Sequence, residues 1–156
     1  MRSIEELSGE LAQHWWVLAR TMASRKLSAS LHPAMAGKLS PASLHALHLL
    51  AHGEPPRISV LARELGLDES TVTRLVDRLE SLGLAERRHG DVDRRSIVVT
   101  LTSEGRGAVE SMREQRRIFL GEVLSALEPE EREEYVRLTA KAAEVLHTRA
   151  AEVVRK

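Results

Sequence analysis

"ISVLARELGLDESTVTRLVDRLESLGLAERRHGDVDRRSIVVTLTSEG", residues 58–105, decides the fold. Two periods meet in it. Ser59 is placed to cap a short helix, "VLAREL", which Gly66 ends. Asp68 opens a second helix. There Val72, Leu75, Val76, Leu79 and Leu82 share an inward face, and Gly83 closes the run. Beyond Gly83 the period falls to two. "LAERR" and "RSIVVTL" read as strands, the second rich in β-branched residues, with "HGDVD" as the turn. A short helix, a tight turn and a second helix with a polar outer face form the helix-turn-helix pattern. A hairpin placed directly after it is a wing.

The polar face of the second helix carries Ser70, Thr71, Thr73, Arg74 and Arg78. The N-terminal residues of such a helix reach base edges in the major groove, and an arginine fork on guanine is the commonest specific contact. Arg74 is therefore the candidate reading residue, with Ser70, Thr71 and Thr73 beside it, and Arg78, one turn on, is a candidate for phosphate. The alternative is a solvated face with a local ion pair between Arg74 and Asp77. The hairpin adds two arginine pairs, Arg87–Arg88 and Arg94–Arg95, around a Gly-Asp stretch. A minor groove attracts such cations, and Asp91 and Asp93 can orient them by bidentate pairing. The alternative there is a charged edge that blocks strand-to-strand association. Residues 57–95 hold eight arginines and eight carboxylates, so the lobe has no net charge. That balance keeps open a protein-interaction dimer without DNA binding.

Outward from this stretch the chain reads as helical. Residues 3–27 form one helix whose Ile4, Leu7, Leu11, Trp15, Leu18 and Met22 fall in a stripe roughly 80° wide. A seam so narrow suits a helix–helix interface better than a core face. Trp16 projects about 100° from Trp15. Residues 28–39 read as irregular, and Ser40 and Pro41 start a helix to about His52. Thr102 caps a helix to about Ala126, and Pro129 begins a last one to about Val154. On the last helix Val136, Ala140, Ala143, Leu146, Ala150 and Val153 recur at spacings of three and four. The expected division is 1–39 for an N-terminal dimerisation helix and connection, 40–101 for the DNA-binding domain, and 102–156 for C-terminal dimerisation helices.

The composition excludes several classes. No cysteine occurs, so disulfides, thiolate metal sites and thiol switches are ruled out. No apolar run reaches membrane-spanning length, and "MRSIEELSGE" lacks the apolar centre of a signal peptide, so a cytoplasmic protein is expected. No phosphate loop, zincin motif or nucleophile motif appears, so no enzyme and no cofactor is expected. His45, His48 and His52 share one helix face, with His14 and His147 elsewhere. One straight helix rarely closes a zinc site, so zinc sensing is a minor alternative and ordinary surface histidines the expectation.

With its helix-turn-helix, "LVDRLE", Asp93-x-Arg95-Ser96 and "LTSEG", residues 58–105 resemble the MarR family of winged-helix transcriptional regulators, and the flanking helices match in number and length. The resemblance implies a mainly α fold with a small β-wing, in a homodimer intertwined through its N- and C-terminal helices. It implies a repressor of a near-palindromic operator on double-stranded DNA, with Arg95 in the minor groove, Asp93 holding it, and Arg94 as a second candidate. Arg78, Arg87, Arg88 and Arg94 would then serve phosphates. It further implies release by a small aromatic or phenolic effector in a pocket formed by the first, second and fifth helices. Trp16, Arg20, His45, His48 and Met112 are the expected lining. A ligand-independent regulator of the same fold is the alternative.

Overall fold

The computed structural model describes residues 2–35, 37–90 and 95–154. The elements are α1 (Ile4–Met22), α2 (Arg25–Leu31), a 3-10 turn (Pro33–Met35), α3 (Pro41–Leu50), α4 (Ile58–Leu65), α5 (Glu69–Ser81), β1 (Ala85–His89), β2 (Ile97–Leu101), α6 (Ser103–Ser125) and α7 (Pro129–Val154). The chain divides into two units, Met1–Gln115 and Arg116–Lys156. No helix among the described residues is long and apolar enough to cross a membrane.

The first unit is built on α3, α4, α5 and the hairpin. Leu47, Leu61, Val72, Val76, Leu79 and Val99 are its most completely buried large side chains. Each contributes about 1.5–3 kcal/mol of hydrophobic stabilisation. Val109 and Met112 of α6 close the same core. The turn between α4 and α5 depends on Gly66, whose backbone stands at φ 65°. That left-handed conformation is favoured by glycine, and its N–H reaches back to the carbonyls of Ala62 and Arg63.

The wing is antiparallel, with Ala85 opposite Leu101 and His89 opposite Ile97. Its base is stitched shut. The Thr102 N–H donates to Leu84 O at 3.2 Å, and its Oγ1 donates to Gly83 O at 2.6 Å. The same hydroxyl accepts from the Gly105 N–H at 3.0 Å, capping α6 as its position requires. The loop before α4 also docks on the wing, since the Val99 N–H donates to Pro56 O at 2.9 Å.

Three boundaries differ from the sequence reading. The helix expected over 3–27 is two helices. Ser24 adopts extended angles, and its side chain caps α2 by accepting from the Leu27 N–H at 3.2 Å. A serine that satisfies free helix donors ends one helix and starts another even where an apolar period continues. Residues 28–31, expected as irregular, therefore belong to α2. Ser59 is not the cap of α4: the helix starts two residues earlier, with Arg57 at the cap position and no side-chain hydrogen bond to it.

α1 opens on a full capping box between Ser3 and Glu6. None of its residues is buried. In the second unit, α7 leaves Tyr135, Val136, Leu138, Val145 and Leu146 exposed. Arg132 ties the start of α7 to the preceding turn, donating through Nε to Leu124 O at 3.0 Å and Leu127 O at 2.9 Å.

Candidate nucleic-acid interface

α5 begins at Asp68, whose carboxylate accepts from the Thr71 N–H at 2.8 Å, the Thr71 hydroxyl at 2.7 Å and the Ser70 hydroxyl at 2.6 Å. These donors, the Ser70 hydroxyl foremost, hold the Asp68 carboxyl far below the usual carboxylate range. Thr73 Oγ1 donates to Glu69 O at 2.7 Å. Ser70, Thr71 and Thr73 are exposed as the sequence suggested, with their hydroxyl protons already engaged within the helix. What they offer outward is acceptor capacity.

Arg74 is exposed and makes no hydrogen bond or ion pair among the described residues. The local pairing considered for it, with Asp77, does not form, because Asp77 is taken by Arg87 at 2.8 Å. Arg78, also exposed, donates through Nε to Lys38 O at 3.4 Å. Arg95 is exposed at the start of the second strand's approach. Asp91, Asp93 and Arg94 lie outside the described residues.

Arg87, expected at phosphate, is engaged by α5. Its side chain is 27 % exposed and turned onto α5. The guanidinium engages Asp77 and Glu80 and reaches Thr73 O at 3.3 Å, while the Arg87 N–H donates to Glu80 Oε1 at 2.7 Å. A strand alternates its faces, so Arg87 follows Ala85 inward. Arg88 faces the other way and lines a cleft behind the wing, with Thr100, Arg106 and Arg113. Arg87 thus ties the wing to α5 through Asp77, which the sequence offered only as a partner for Arg74, and Glu80, which it did not single out. The available signal was their i,i+3 spacing, opposite a strand position in phase with a buried alanine.

The expected effector residues do not converge on a described cavity. Trp16 is 68 % exposed on α1, and Arg20 and His45 are exposed as well. Met112 is only 5 % exposed and belongs to the core. The gap it borders, with Leu31, His32 and Met35, measures about 20 Å³. That is room for a water molecule at most. His48 stacks edge-on against His52 at 4.7 Å, and His52 Nε2 accepts from Arg113 at 2.9 Å. Among the described residues no group of three His, Asp or Glu side chains is placed to hold a metal ion.

A polar helix face beside a wing locked onto that helix is the geometry on which the comparisons bear. The MarR family model matches residues 39–97. The HTH-type transcriptional repressor MdtR of Bacillus subtilis is 34 % identical over 110 residues, covering 70 % of this chain and 71 % of MdtR. The chain belongs to the MarR family. A second B. subtilis relative, the HTH-type transcriptional regulator YdgJ, is 35 % identical over 94 residues, which span 60 % of this chain and 57 % of YdgJ. The structure of a MarR family protein from Bacillus stearothermophilus superposes with a TM-score of 0.79. It covers 94 % of this chain and 99 % of its own length at 23 % identity, a likeness that bears on the fold. Membership in MarR makes this a transcriptional regulator rather than an enzyme, and its fold is the mainly helical winged helix with a two-stranded wing.

Proposed function

We propose that this MarR-family chain is a repressor that binds a near-palindromic DNA duplex as a homodimer. The carrying observation is Arg74: an exposed guanidinium on the outer face of α5, uncommitted among the described residues, on a helix whose acidic neighbour is occupied from the other side. Arg78 meets phosphate and Arg95 the minor groove, and Asp93 and Arg94 are assigned to the same contact. MdtR, named as a repressor, supports the direction of control. Selection from a random duplex pool tests the reading. The wild type should yield a palindrome with half-sites about one helical turn apart. Arg74→Ala should lose about 1–3 kcal/mol of discrimination. Arg78→Ala should weaken all sequences alike and lower the salt slope by about one charge. No salt-dependent band shift on any duplex would sink the proposal.

Dimerisation rests on α1, whose Leu7, Leu11, Trp15 and Leu18 are all exposed in the single chain. An amphipathic helix with nothing buried needs a partner. α7, with its own exposed apolar residues, is assigned to the same task. Leu11→Ala should weaken the dimer by roughly 1–2 kcal/mol per protomer, read by sedimentation equilibrium. A wild-type monomer at micromolar concentration contradicts this part.

Control by a small aromatic effector completes the proposal, with Trp16, Arg20, His45 and His48 as its residues on α1 and α3. The exposed indole of Trp16 and the charge of Arg20 one turn on support it. Aromatic acids should quench the fluorescence of the wild type more than that of Trp16→Phe. Equal quenching removes Trp16 from the site.

A further inference from the structure

The first turn of α5 fixes where its hydroxyl protons point. Ser70 and Arg74 are both exposed and stand one turn apart, on the face opposite the buried Val72, Leu75, Val76 and Leu79. The Asp68 carboxylate holds three donors. Its Oδ1 accepts from the Ser70 hydroxyl at 2.6 Å and the Thr71 N–H at 2.8 Å, and its Oδ2 from the Thr71 hydroxyl at 2.7 Å. An ionised carboxylate only accepts, and a hydroxyl has a single proton. The Ser70 proton is therefore turned back toward the start of the helix. Only the lone pairs of Ser70 Oγ remain for a ligand. The same donors hold the Asp68 carboxyl far below its usual range, so it stays ionised, and the arrangement closed, well below neutral pH.

We infer that Asp68 is a positioning residue for base selection: by holding the Ser70 proton it makes Ser70 an acceptor, which selects an amino-bearing base, adenine or cytosine, beside the guanine assigned to Arg74. An unrestrained serine serves either a donor or an acceptor on a base edge. Adenine N6 and cytosine N4 donate in the major groove, whereas guanine and thymine present acceptors there. An acceptor set against an acceptor loses water on both sides and gains no hydrogen bond. The base selection rests on the DNA-binding reading; the fixed proton does not.

Two measurements test the inference: selection from a random duplex pool, and a carboxyl NMR titration of the DNA-free full-length protein. The wild type should favour adenine or cytosine over guanine or thymine by about tenfold at one position beside the selected guanine. Asparagine caps a helix as well as aspartate does, so Asp68→Asn should melt like the wild type. Its amide has one acceptor oxygen and donates through its nitrogen, which lets Ser70 turn its proton outward. The preference at that position should then fall toward equality while the guanine is still selected. A cap that served stability alone would leave the preference unchanged. Ser70→Ala should erase the preference and, without DNA, raise the Asp68 carboxyl toward its usual range. An unchanged preference in Asp68→Asn overturns the inference. So does a wild-type palindrome without such a position, or an Asp68 carboxyl that titrates alike in the wild type and Ser70→Ala. Recovery of no preferred duplex at all is a different result: it sinks the DNA-binding reading, and the base selection with it, whatever the carboxyl titration shows.

Discussion

Gly105→Ala should lower the melting temperature sharply, while Gly107→Ala, two residues on in the same helix, should raise it. A Cβ built on Gly105 stands 1.8 Å from Leu84 O and 2.9 Å from Leu84 C, with Leu101 Cδ2 at 3.2 Å. The first two are backbone atoms and cannot rotate away. Leu84 O is also the acceptor for the Thr102 N–H. Any retreat of that carbonyl opens the stitch at the base of the wing. Alanine gains up to about 1 kcal/mol over glycine from helix propensity. Overpacking against fixed backbone costs about 3 kcal/mol or more at so short a distance. The clash therefore wins, and a net loss of at least about 2 kcal/mol is expected in chemical denaturation. At Gly107 nothing lies within 4 Å of the added methyl. There only the propensity gain of about 0.5–1 kcal/mol remains. Similar melting curves for both variants would show that α6 does not press on the wing as described.

Arg87→Ala should be comparably damaging. The side chain satisfies Asp77, Glu80 and a backbone carbonyl at once, and it is mostly screened from water. Removing it leaves two carboxylates on one helix face without their shared cation. Hydrogen bonds to charged groups contribute about 1.5–3 kcal/mol. A loss near the top of that range, about 3 kcal/mol, is expected. In a Glu80→Ala background the same substitution should cost less, with a coupling of about 1–2 kcal/mol. Arg87→Lys should recover only part of the loss, because an ammonium has no fork with which to engage two carboxylates. The DNA readout separates strut from phosphate contact. A strut variant binds more weakly with an unchanged salt slope, whereas loss of a phosphate contact lowers that slope by about one. A lowered slope with wild-type stability would return Arg87 to the DNA face.

The helix-turn-helix and the wing were legible because their signals are periodic and local. Val72, Leu75, Val76 and Leu79 repeat at helical spacing and are all buried. "IVVTL" is a β-branched run between breakers, and it forms β2. Asp68, Thr102 and Pro129 mark helix starts by chemistry that depends only on neighbours in the chain. The break between α1 and α2 was illegible because Met22 keeps the apolar period up to the very serine that interrupts it. The ion pairs of Arg87 were illegible for a different reason: four arginines in ten residues suggest one common task. The two at the wing's first strand are sorted by strand alternation and by acidic partners on another element. The glycine of "LTSEG" was recognisable as a motif, but its reason, the carbonyl of Leu84 just ahead of β1 lying against it, is tertiary.

The stitched base of the wing has an evolutionary consequence. Thr102 secures both strand roots to each other through Gly83 and Leu84, so the ribbon closes at the end nearest the core without help from its tip. Residues between His89 and Ile97 can then change in length or charge while the foundation keeps its place. Such an arrangement is a socket: tip segments from distant relatives could be transplanted into it, redirecting the protein to other promoters without asking the core to refold.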